Sequence, residues 1–156
     1  MFWDSWWAYS QGRPPREYMA LRWDEGHAEI LGVGAGDVAG QATFEAYQML
    51  EAVVMWVDKT TRGKITLIGD AEGVLFGLTK LSAPSPIIND VAKEVALHLA
   101  PLGLALSGIH VWGEDNDLAD ALSRLQDGEA VPRCLALATR RMPPARSRES
   151  WKALCH

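Results

Sequence analysis

Two well-patterned helical stretches alternate with two short apolar runs between residues 43 and 112. This alternation confines the chain to folds in which helices pack on a sheet. "TFEAYQMLEAVVMWVDK" (43–59) repeats apolar residues at three- and four-residue spacing, with Thr43 as the expected N-cap and Arg62-Gly63 beyond its end. "SPIINDVAKEVALHLAPLG" (85–103) has Ser85 at the cap and Pro86 at the first helical position, and it stops at Pro101 and Gly103. "KITLIGD" (64–70) reads as a buried strand ending at Asp70, and "LALSGIHVW" (104–112) as another. Between them, "AEGVLFGLTKLSA" (71–83) is a short helix weakened by Gly73 and Gly77. "GEDNDLADALSRL" (113–125) is a turn into a last helix, with Asp115 or Asn116 as its cap.

Ahead of this pattern, "WWAYSQGRPPREYMALRW" (6–23) reads as two aromatic-rich strands about a turn at Gly12–Pro15. "AEILGV" (28–33) is a candidate third strand before a glycine-rich loop. An antiparallel start followed by alternating helices and strands predicts an α/β fold, a mixed sheet with helices on its faces. Beyond Leu125, prolines and a basic cluster predict an extended tail with at most one short helix. The chain thus divides into a domain over 1–125 and a basic, Pro-containing tail over 126–156.

Within the glycine-rich loop, "GAGDVA" (34–39) matches G-x-G-x-x-A. A dinucleotide site would need a preceding strand, a tight turn into a helix, and an acid about 20 residues on at a strand end. Asp58 lies near that distance but at the end of a helix, and Asp70 is 34 residues past Gly36. The helix is expected to start several residues after the glycines. A flexible connection is therefore the preferred reading, with dinucleotide binding a weak alternative.

Charge is unevenly spread. Residues 1–130 hold 9 Lys/Arg against 19 Asp/Glu, a balance of −10, whereas residues 131–156 hold 6 against one, a balance of +5. The acidic body argues against non-specific nucleic-acid binding by the body alone and suits a cation site. The basic tail could touch phosphates or stand as a solvated face. With 48% hydrophobic residues there is material for a core. No apolar run reaches membrane-span length, and "MFWDSWWAYS" lacks the basic start of a signal peptide, so the expected location is cytoplasmic or nuclear, with no membrane partner. Cys134 and Cys155 show no metal spacing and no disulfide framework.

Three acids stand out by their place in the element pattern: Glu45 in the first turn of the long helix, Asp70 after a strand, and Asp120 on the last helix. Taken singly, each has a structural reading, as helix-dipole complement or turn opener. Taken together, their order resembles a known family. "HVWGEDNDLADALSRL" (110–125) resembles the H-x-x-G-x-x-N-x-x-A-D-x-L-S-R motif that closes the ribonuclease H domain of retroelement reverse transcriptases. His110, Gly113, Asn116, Ala119, Asp120, Leu122, Ser123 and Arg124 all match it. "FEAYQMLEAVVMW" (44–56) is similar to the family's first helix, with Ala52 seven and Trp56 eleven positions after Glu45. The stretch from Leu67 to Ala100 is similar to the family's fourth strand, its aspartate and the two helices that follow, with Asp70 as the match. The likeness is strongest over residues 40–125 and closest to retrotransposon versions.

The resemblance implies a five-stranded mixed sheet flanked by helices. It also implies Mg²⁺ (or Mn²⁺) held by Glu45, Asp70 and Asp120 as catalytic carboxylates, and hydrolysis of the RNA strand of an RNA–DNA hybrid. His110 and Asn116 would lie beside the site, each with a structural reading as strand-end and cap residue. The implied partners are the hybrid and a reverse transcriptase domain of the same polyprotein. The family's first strand, with its own aspartate in D-A-S-x-x-G, has no counterpart here. The expectation is an N-terminally truncated ribonuclease-H-like fold with impaired hydrolysis. The alternative is a catalytically inactive structural or nucleic-acid-binding module derived from that domain.

Overall fold

The computed structural model describes residues 3–8, 17–22, 24–34, 38–58, 61–127 and 130–143. Its architecture is mixed α/β. Strands β1 (Trp3–Ala8) and β2 (Glu17–Arg22) pair antiparallel with Trp3 opposite Arg22 and Ala8 opposite Glu17. The tight turn expected between them lies outside the described residues. Helix α1 (Glu25–Leu31) and the long helix α2 (Val38–Trp56) follow. Strand β3 (Lys64–Gly69) leads through α3 (Glu72–Lys80) and α4 (Pro86–Leu99) to β4 (Ala105–His110). β3 and β4 pair parallel, as strands joined by a long helical crossover do, with Gly69 opposite His110. Helix α5 (Asp117–Ser123) comes next, and β5 (Thr139–Arg141) pairs parallel to β2.

Among the described residues the strands therefore form two sheets, ordered β1-β2-β5 and β3-β4. One apolar core joins them: Met19 of β2, Leu50 and Val53 of α2, Leu67 of β3, Leu78 of α3 and Val95 of α4 belong to the same buried cluster. α2 packs against α4, α3 and β1, while α5 lies against β1 and β2. Trp56 Nε1–H donates to Glu17 Oε2 at 2.8 Å, fastening the end of α2 to β2.

Several local expectations are corrected. "AEILGV" belongs to a helix, α1, because both ends are capped. The Asp24 side chain accepts from the His27 N–H at 3.0 Å, and Gly32 takes the left-handed conformation (φ 65°) that closes the last turn. α2 begins at Val38, so Thr43 is a buried residue within the helix and not its cap. Gly40 is also buried inside α2, where packing outweighs its propensity cost. β3 is covered on one face only: Leu67 and Gly69 are buried, Thr66 and Ile68 exposed. Ser85 occupies the α4 cap position without a side-chain bond there. Asn89 instead clamps the α3–α4 connection, accepting from Ala83 N–H and donating to Ala83 O, both at 2.7 Å.

Candidate functional site

Asp70 is the first residue past β3. Val111 N–H donates to Gly69 O at 3.0 Å, so the ladder continues until both chains turn away at the same level. Loops at the carboxyl ends of parallel strands are where open α/β sheets bind ligands. Asp70 and the 110–116 segment meet there. His110 ends β4, and its Nε2–H donates to the main-chain oxygen of Asp70 at 3.1 Å. This bond fixes the proton on Nε2. Asn116 occupies the backbone cap position of α5 but makes no side-chain cap bond; its Nδ2 donates to Asp70 Oδ1 at 3.5 Å, a long contact. Gly113 lies close by, since a Cβ there would stand 3.5 Å from Asp70 Oδ2.

Glu45, on α2, feels the charge of Asp70. Its carboxyl is pushed up to about 7, first by burial and then by the negative charge of Asp70, partly offset by a hydrogen bond from Gln41 Nε2 at 3.3 Å. Two acids from distant parts of the sequence thus share one electrostatic environment. Gln41 was not among the residues expected at the site. It stands four residues before Glu45, a spacing that becomes meaningful only once α2 starts at Val38.

Asp120 is placed differently. Its Oδ2 accepts from Arg124 Nη2 one turn along, on an exposed face of the chain. Among the described residues no three His, Cys, Asp or Glu side chains form a set that could hold a metal ion. The structure therefore places His110 and Asn116 against Asp70, leaves Glu45 near enough for its charge to interact with Asp70, and pairs Asp120 with Arg124. Glu45 and Asp70 still meet a minimum for a hard cation: Mg²⁺ is commonly held through one or two carboxylates, with water and phosphate oxygens completing the shell. A cation would also relieve the part of the rise in Glu45 that comes from Asp70.

The dinucleotide alternative loses its main support. The residues before the glycines form α1, where that site requires a strand, although α2 does begin soon after Gly36. Residues 35–37 of the "GAGDVA" stretch lie outside the described residues. No family model, curated protein or solved structure matches the chain.

Proposed function

We propose that the chain is a ribonuclease-H-like domain of a retroelement reverse transcriptase, acting on the RNA strand of RNA–DNA hybrids with Mg²⁺ or Mn²⁺. The observation that carries this reading is the electrostatic coupling of Glu45 and Asp70 at the carboxyl end of β3, beside His110 and Asn116. The division of the strands is a second support. Removing a central strand from the family's mixed sheet would leave an antiparallel pair and a parallel pair; here β1 and β2 pair antiparallel, with β5 added parallel to β2, and β3 and β4 pair parallel.

Glu45 and Asp70 would hold the cation, Asn116 would orient Asp70, and His110 would keep the two strand ends in register. The ion supplies activation of the attacking water and charge neutralisation at the phosphodiester. The resemblance implies a further aspartate, in D-A-S-x-x-G, that has no counterpart here, so the carboxylate set is smaller than in the family and cleavage by this chain should be slow. The same shortfall motivates the second reading, an inactive module that binds the hybrid without cutting it.

One assay separates the two. A labelled RNA–DNA hybrid is incubated with the chain and Mg²⁺ or Mn²⁺, beside Asp70→Asn. Metal-dependent cleavage that falls at least 100-fold in the variant is expected, in line with losing a group that positions the reacting centre. Binding without cleavage, unchanged in Asp70→Asn, would replace the nuclease reading with the binding-module one.

A further inference from the structure

One large side chain of the 110–116 segment stands in the open: Trp112 is 69% exposed. Its position is nevertheless well defined. The backbone is extended there (φ −69°, ψ 147°), and the Trp112 carbonyl accepts from Asp115 N–H at 2.8 Å. The indole meets the His110 ring edge-to-face, with centroids 5.1 Å apart and planes at 78°. His110 is in turn bonded to the main-chain oxygen of Asp70 at 3.1 Å. One ring contact and one hydrogen bond therefore join an exposed indole to the residue that carries the candidate site. Core packing does not account for it, because most of the side chain faces solvent.

We propose that Trp112 is a substrate-contact residue, offering its indole face as a stacking platform for a base of the nucleic-acid strand held at Asp70 and Glu45. This rests on the nuclease reading above. Every nucleobase has a π-face, so stacking is tolerant of sequence, and an exposed, braced aromatic ring is what such a platform requires. The charge distribution strengthens the argument. The body is acidic, with a balance of −10 over residues 1–130, so it has few cations to spend on phosphates. Strand affinity near the site must then come from another source, and the indole provides one. His110 contributes by limiting the ring's rotation, which reduces the ordering cost on binding.

The test uses the full chain with Trp112→Ala and Trp112→Phe. Affinities for a labelled RNA–DNA hybrid and for a single-stranded oligonucleotide are measured by fluorescence anisotropy, and kcat and KM are measured on the hybrid. Trp112→Ala is expected to weaken affinity and raise KM by about 10-fold, within the range known for loss of one base–aromatic stack, with kcat little changed. Trp112→Phe should restore most of the affinity. The melting temperature of both variants should match the parent, because the side chain is exposed. Cleavage with unaltered affinity in Trp112→Ala overturns the stacking role and leaves the nuclease reading intact. Trp112-dependent binding without cleavage supports the platform and removes the nuclease. Equal losses in the Ala and Phe variants, or no binding of either nucleic acid by the parent chain, overturn the platform; a parent that neither binds nor cleaves removes both readings.

Discussion

At the residue scale, Glu45 is the most informative side chain. A carboxyl with an ordinary value near 4.5 titrates here at about 7, so the folded chain retains a proton that the unfolded chain releases. The stabilisation from that retained proton is full below pH 4.5 and is lost as the pH rises through about 7. It amounts to roughly 3 kcal/mol at most. Urea unfolding of the parent and Glu45→Gln across pH 4.5 to 8 checks this: the parent should lose stability relative to the variant over that interval, and parallel curves would refute the assignment. Asp70→Asn should lower the Glu45 value only partway, because burial is the larger cause. Added Mg²⁺ should lower it as well if the pair holds the ion, a shift readable by carboxyl NMR.

At the scale of elements, the two glycines of α3 behave oppositely. Gly73 is exposed, and a Cβ there would meet nothing within 4 Å. Gly77 is buried, and a Cβ there would lie 3.0 Å from Ala83 Cβ and 3.4 Å from Ile88 Cγ2, the approach that lets α3 sit against α4. Gly73→Ala should therefore stabilise the chain by about 0.5 kcal/mol through helix propensity. Gly77→Ala should destabilise it by about 1–3 kcal/mol through overpacking, despite the same gain in propensity. Thermal unfolding of both variants decides the matter; a stabilising Gly77→Ala would show that the helices yield. Sequence pattern assigned both glycines the same weakening role, because propensity is local and the Ala83 contact is not. Four of the helices were legible: apolar spacing located α2, cap and stop residues located α4 and α5, and α3 followed from its apolar run; α1 was not, its "AEILGV" stretch reading as a strand. Their caps were less so. Thr43 and Ser85 have the right chemistry for caps, yet α2 begins five residues before Thr43 and the α3–α4 connection is clamped by Asn89.

At the scale of the whole molecule, β5 brings residues 139–141 onto β2, and Leu135 packs with Tyr18 and Leu122 in a small buried cluster. Arg141 Nε lies 3.8 Å from Glu17 Oε2, a weak exposed pair beside that junction. The apolar cluster acts there together with the β2–β5 ladder and the Arg140 Nη2 bond to Ala20 O at 3.3 Å. Leu135→Ala should cost about 2–4 kcal/mol in denaturant unfolding and raise hydrogen exchange in β2 and β5 more than in β3 and β4. Uniform exchange across all four strands would mean that the two sheets unfold as one unit.

What the sequence determined by itself is most of the elements, though not α1 or β5, and the identity of the acids. Apolar spacing is a local property, and so the helices, the aromatic hairpin and the strand ending at Asp70 can be read from neighbouring residues alone. The tertiary structure decided which acids meet. Glu45 and Asp70 are 25 positions apart and converge because α2 and β3 share one core. Asp120, equally placed in the motif, has Arg124 one helical turn away as an ion-pair partner. The physical reason is that a carboxylate's environment depends on burial and on charges across space. Sequence spacing fixes such charges only within a helix, as for Asp120 and Arg124, and leaves them open between elements, as for Glu45 and Asp70.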